Sequence, residues 1–237
     1  MLVRSFAVQG SFNYRTLIGA GFAFVLLPAL RHVFRERPDE LEAAARRHQE
    51  PFNSHPYLVG IAAGAVVRLE QEGAPPPVLE RFKSAIRGSL GSVGDALFWA
   101  GVRPASVLLA LVLVVAGAPF WLAVPIFLML YNAAHVLTRT WGFRMGLKHG
   151  AGVAAGLRES VLLRAVGAAA SIGAFLLGAL SLLVAAGLLT ENSALLTTIA
   201  AMAALGVGLA VGSMIRFPAV VALGLLLIAG LLRGALS

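Results

Sequence analysis

Between Pro104 and Thr138 lie 35 consecutive residues without an Asp, Glu, Lys or Arg. One unbroken helix of that length would reach roughly 50 Å, well beyond a bilayer's hydrocarbon core of about 30 Å. The run must therefore be broken, and Gly117-Ala118-Pro119 supplies the break, predicting one segment near 105–117 and another near 119–138. Three more charge-free stretches follow, at 165–190, 192–215 and 217–232, the last short for a full span. The chain is 59% hydrophobic and 13% charged, with a mean hydropathy of +0.85. Soluble domains carry about 25% charged residues, so these runs read as membrane helices.

Charge divides the chain in two. Residues 1–103 hold 12 Lys/Arg and 9 Asp/Glu, whereas 104–237 hold 7 and 2. The expected organisation is a polar-motif-bearing N-terminal region, 1–103, followed by a transmembrane helical bundle, 104–237. The expected fold class is all-α, a polytopic integral membrane bundle with broken or re-entrant helices in its N-terminal part. The scattered cations lack the aromatic interleaving of a nucleic-acid surface. They read instead as membrane-edge residues, with Arg139, Arg144 and Lys148 as a cationic band, Trp141 as an interfacial anchor and 139–164 as a cytoplasmic loop. The charged 31–50 region is expected on the same side. The absence of Cys excludes disulfides and thiolate chemistry. No apolar core followed by a small-residue cleavage site opens the chain, so no cleavable signal peptide is expected.

Within the first hundred residues, Leu17–Leu30 is apolar but short, and is expected to end near Pro28. Residues 35–50 read as an amphipathic helix starting at Pro38, with Asp39, Glu40 and Glu42 early and Arg46 and Arg47 late, matching the helix dipole. Tyr57–Val67 is another apolar piece below spanning length. Residues 73–77, Gly-Ala-Pro-Pro-Pro, read as a stiff loop. Paired short apolar segments are what broken transporter helices look like.

Three polar clusters stand beside these segments, where polar groups are costly unless paired or useful. They are Gln9-Gly-Ser-Phe-Asn-Tyr14, Arg46-Arg-His-Gln-Glu-Pro-Phe-Asn-Ser-His-Pro-Tyr57 and Gly88-Ser-Leu-Gly-Ser-Val-Gly-Asp-Ala-Leu-Phe-Trp99. In the second, Pro51 and Pro56 bias their preceding residues away from helix, and irregular backbone at membrane depth is tolerated where it lines a cavity or is buried in protein. Asn53 and His55 either hydrogen-bond sugar hydroxyls or satisfy carbonyls of a broken helix. In the third, glycines spaced by three permit close backbone packing and leave peptide groups free to meet a ligand. Asp95, the only acid between Glu80 and Glu159, is a functional group, an N-cap for a helix beginning near Ala96, or an idle exposed residue. His135, next to Asn132 in an apolar run, suggests a helix–helix hydrogen bond. No phosphate-loop or metal-ligand spacing is present, so no cofactor and no metal are expected.

These clusters, in this order, resemble component D (IID) of the mannose/fructose/sorbose phosphotransferase family, from about Ser5 to Gly150, with Arg103-Pro104 continuing the third match. Phe12, Pro51 and Ala96 stand where the family usually has a tryptophan, an aromatic and a proline. The resemblance implies pairing with a membrane component IIC in the bacterial inner membrane. The pair would bind a hexose and move it inward, while soluble IIB, recharged by IIA, phosphorylates it. No bond-making chemistry is then expected of this chain alone, and no catalytic residue. Gln9, Asn13, Glu50, Asn53, His55 and Asp95 are the candidate substrate-binding or translocation residues. The alternative is a regulatory or scaffold membrane protein descended from such a subunit. An unrelated membrane enzyme would need a clustered acid, base or metal set, and residues 104–237 offer only Glu159, Glu191 and two histidines.

Overall fold

A computed structural model describes residues 1–153, 157 and 161–188. The expected runs at 192–215 and 217–232 lie outside the described residues. The chain forms α1 (Leu2–Ser5), α2 (Gly19–Val33), α3 (Pro38–His48), α4 (Val59–Gln71) and α5 (Pro76–Gly94). A π-helical stretch, Asp95–Val102, leads into α6 (Arg103–Val115), followed by α7 (Phe120–His149) and α8 (Val161–Leu188). Among the described residues, three stretches are long and apolar enough to cross a membrane: Pro76–Val115, Phe120–Gly152 and Val161–Val184. Among the described residues the only β pairing is two isolated bridges, Asn13 with Leu17 and Leu17 with Phe52. The protein is an all-α, multi-pass membrane protein.

The contacts divide it into two compact units. One comprises Met1–Asp95 with Ala134–Leu163, and the other Ala96–Ala133 with the chain from Arg164 onward. In the first, α4 is buried on every side from Val59 to Val67, as a helix without a polar face must be. It lies directly against α7. A Cβ on Gly146 would stand 2.2 Å from the Ile61 carbonyl oxygen, and one on Gly64 2.5 Å from that of Phe143. Only residues without side chains let two backbones approach so closely. In the second unit, Ala105 and Leu108 of α6 pack with Leu176, Leu177 and Leu180 of α8 in an ordinary apolar cluster.

Local chemistry explains the element boundaries. The amphipathic helix begins at Pro38, with Asp39 and Glu40 in its first turn and Arg46, Arg47 and His48 in its last, each charge facing the favourable dipole end. Gly117, at φ +95°, takes the left-handed conformation that separates α6 from α7.

Three expectations are corrected. The apolar helix continues through Pro28 to Val33. A proline there deprives the carbonyl four residues earlier of its helical donor, and the Arg4 guanidinium donates to that Phe24 oxygen at 3.1 Å. The N-cap alternative for Asp95 also fails: the glycine-rich third cluster ends α5, and Asp95 is itself right-handed helical at φ −63°, ψ −44°. Asp95 therefore caps no new helix, because the helix runs on through it. The Pro-rich segment is partly helical too, with Pro76 and Pro77 forming the first turn of α5 behind Pro75, where their missing N–H groups cost nothing.

Candidate functional site

The segment just after the first polar cluster meets the second cluster through its backbone. Ile18 N–H donates to the Phe52 carbonyl at 3.0 Å, and Phe52 N–H to that of Thr16 at 3.3 Å. The turn leading there is built by Asn13. Its Oδ1 accepts from the amides of Arg15 (3.0 Å) and Thr16 (2.9 Å). Its Nδ2 donates to the Ser11 carbonyl (3.1 Å) and Thr16 Oγ1 (2.8 Å). Leu17 closes the turn at φ +56°, a conformation that costs a branched side chain energy and persists only where its surroundings enforce it. Phe22 and Phe52 then pack ring to ring at 4.4 Å.

The second and third clusters meet at His55. A Cβ on Gly94 would lie 2.1 Å from the Cβ of His55, so glycine at 94 is what lets α5 pass this loop. His55 is buried at 2% exposure, and its Nδ1 accepts the Tyr57 amide at 3.2 Å. Burial first, and the Arg139 charge second, push its imidazole down to about 4. His55 is thus neutral at physiological pH, with its hydrogen on Nε2.

Around it, Tyr57 stacks on His135 at 4.7 Å. Arg139 lies between the rings of Phe6 (4.7 Å) and Tyr57 (4.9 Å), and its Nη1 donates to the Ser5 carbonyl at 2.7 Å and Ser5 Oγ at 3.0 Å. The membrane-edge reading of Arg139 is therefore corrected. It is 3% exposed and clamps the N-terminal segment to the 51–58 loop, because buried guanidinium needs acceptors and aromatic faces. Its i, i+4 spacing from His135 was the available signal. Beside His135, Asn132 Nδ2 donates to the Leu128 carbonyl, 2.6 Å away on the same helix.

A second polar centre joins α3, α4 and α5, and sequence reading missed it. Glu70 receives a two-pronged pair from Arg47, at 3.0 and 2.8 Å, and a 2.7 Å hydrogen bond from His48 Nε2. Lys83 Nζ donates to the Arg47 carbonyl at 2.6 Å. Glu70, His48 and Lys83 are all buried. Burial lowers the His48 pKa, Lys83 and Arg47 add to the effect, and the hydrogen bond to Glu70 opposes it. For Glu70, burial works toward a raised pKa but is outweighed by the His48 and Arg47 hydrogen bonds, which hold the carboxyl below its ordinary value. Arg47 and Glu70 also line a cavity of about 510 Å³ with Arg37 and Glu72. These partners are 22 to 36 positions apart, and no local spacing announces them.

Of the six candidate residues, His55 is enclosed, whereas Gln9, Asn13, Glu50, Asn53 and Asp95 are exposed. Glu50 and Asn53 flank the Phe52 bridge, and Asp95 follows the Gly94 contact. Asn13 spends its amide on its own turn.

Residues 1–187 match the family described as PTS system mannose/fructose/sorbose family IID component. The mannose-specific EIID component of Escherichia coli K12 is 29% identical over 185 residues, covering 76% of this chain and 65% of that protein. The fructose permease IID component of Bacillus subtilis is 29% identical over 186 residues, covering 76% and 66%. The chain thus spans just under two thirds of the length of these relatives. Among solved structures, one described as a membrane protein superposes with a TM-score of 0.66 at 31% identity, covering 76% of this chain and 67% of that one. A chain in the cryo-EM structure of the mannose transporter ManYZ with microcin E492 gives 0.59 at 24% identity, covering 100% and 94%, which speaks to fold alone.

Proposed function

The chain belongs to the mannose/fructose/sorbose-family IID components of the phosphotransferase system, and from that premise we propose that it is the IID subunit of a sugar transporter. It pairs with a component IIC in the bacterial inner membrane. The pair binds a hexose of the mannose type and carries it inward, coupled to phosphorylation by soluble IIB, which IIA recharges. The observation that carries this reading is the meeting of the second and third polar clusters at buried His55, with the segment just after the first cluster bonded to Phe52 of the same loop.

The division of labour follows from the chemistry. Exposed amides at Gln9 and Asn53 and carboxylates at Glu50 and Asp95 are hydrogen-bonding groups suited to sugar hydroxyls or to a partner subunit. Asn13 holds the turn beside them. His55, enclosed at 2% exposure, is a poor phosphoacceptor, since phosphoryl transfer needs an accessible nucleophile. It serves the pathway as a hydrogen-bonding scaffold.

The test is a mild-detergent pull-down of tagged protein from its host, followed by hexose binding and uptake with the recovered pair. Co-purification of a IIC-type protein in stoichiometric amount, with uptake reduced by Asp95→Asn, is expected. Recovery of the chain alone would overturn the subunit reading in favour of a regulatory or scaffold descendant. Uptake, assembly and stability all unchanged in Asp95→Asn would remove Asp95 from the pathway.

A further inference from the structure

The loop that carries Glu50 and Asn53 is fastened at three points. Near its start, Lys83 Nζ of α5 donates to the Arg47 carbonyl at 2.6 Å. In its middle, Phe52 exchanges backbone bonds with Thr16 and Ile18. At its end, His55 lies against Gly94, again on α5. Two of the three fastenings thus sit on one helix, about 16 Å apart by helical rise. The chain from Arg47 to His55 stretches to at most about 27 Å, so it has slack, and the fastenings set its course. Asp95 follows Gly94 directly, at one end of the same span. Of the three, Lys83 is the fastening whose chemistry most needs a reason. It is 5% exposed, and a buried ammonium is costly unless its partners offset the loss of water. Glu70 does not require it, because Arg47 and His48 already engage both carboxylate oxygens. The Arg47 carbonyl does, for it lies in the last turn of α3, where carbonyls lack helical donors and the dipole favours a cation. Among neighbouring charges, the Glu50 carboxylate acts most strongly on the ammonium.

We propose that Lys83 is a positioning residue of the transport pathway: by holding the Arg47 carbonyl and drawing Glu50 toward α5, it sets Glu50 and Asn53 in register with Asp95. It acts through the loop and touches no sugar. Packing alone does not call for the ammonium, since a methionine fills the same space with less loss of hydration. Its functional consequence rests on the transport reading, whereas the position of the loop can be read without it.

The chain has no cysteine, so Gln49→Cys, exposed just past α3, takes a single nitroxide, and Asp39→Cys, exposed at the other end of α3, takes one as a control. In the protein purified with its membrane partner, Lys83→Met should make the label at 49 clearly more mobile and leave the label at 39 unchanged. Without labels, in cells that also carry the partner and the soluble components, Lys83→Met should raise the KM for mannose uptake by about tenfold with the maximal rate little changed, as loss of binding geometry does. Its melting temperature should stay near that of the wild type, because removal of a buried charge offsets the loss of one hydrogen bond. An unchanged spectrum at 49 or an unchanged KM would overturn the proposal. So would equal loosening at both labels with a fall in melting temperature, which marks a lysine that merely holds the fold. Should the wild-type pair take up neither mannose nor fructose, the transport reading fails, and the two labels still decide whether Lys83 sets the loop.

Discussion

The two units solve the same problem, holding helices together where lipid is as apolar as any leucine, by different means. Unit one uses features that admit few substitutes: glycine backbones in contact, a buried carboxylate serving Arg47 and His48, and a guanidinium clamped between two rings. The α6–α8 contact of unit two uses leucines and alanines that many apolar sets could replace. Without a hydrophobic drive between helices, close packing and hydrogen bonds must supply specificity. They are concentrated where the polar clusters meet. The difference teaches that the part of this protein bearing its candidate site is also the part whose geometry is most tightly dictated.

The sharpest way to break the comparison is Glu70→Ala. It strands buried His48 and half-buried Arg47, and removing one partner of a buried pair costs about 3–5 kcal/mol. Thermal unfolding in detergent should show the loss, and a wild-type melting curve would mean that the network does not hold unit one. Next comes Gly146→Ala, whose methyl group meets the Ile61 carbonyl. Overpacking of this kind costs roughly 1–3 kcal/mol, read by the same unfolding assay. Acidification should act through His48. Its folded pKa lies below the ordinary 6.5, so the unfolded chain takes the proton more readily. Its contribution to stability is intact above about pH 6.5 and lost as pH falls below that value. Protonation would also place a hydrogen on Nδ1, which has no acceptor among the described residues. Melting temperature should therefore fall with acid, and His48→Gln should flatten the slope, leaving the shares due to His55 and Glu70. The smallest effect belongs to Leu177→Met, a near-equal-volume change costing less than about 1.5 kcal/mol. Should it prove as damaging as Gly146→Ala, the contrast between the units would collapse.

What sequence could reveal followed the range of each interaction. Charge-free runs announce spans because exclusion of charge is a property of each residue, and α3 was readable because its caps and dipole-facing charges are local. The irregular loop between Pro51 and Pro56 was legible for the same reason. The meeting of the second cluster with the third and with residues 16–18 was suggested only by order and resemblance, since the bonds joining Thr16, Ile18 and Phe52 cross the chain. Arg139 was misread because a membrane-edge rule weighs charge by position along the helix, whereas burial depends on which face meets Phe6 and Tyr57. The helical state of residues 88–95 was hidden by glycine's low helix propensity, which packing of Ile86, Leu90 and Gly94 overrides. Glu70 and Lys83 drew no reading at all, because their partners are distant in sequence.

The backbone contact between α4 and α7 sets an order of events during synthesis. Thirteen residues of α4 are too few to cross a bilayer as one span, yet from Val59 to Val67 they expose no face to water. The surface that encloses them is made only after the ribosome has passed α6 and the first half of α7. For that interval α4 has no native neighbour on one side, and something else must shelter it, whether lipid, insertion machinery or provisional contacts with α2. A nascent chain halted before Gly142 would therefore display an unsheathed apolar helix, the kind of signal by which quality control recognises unfinished membrane proteins.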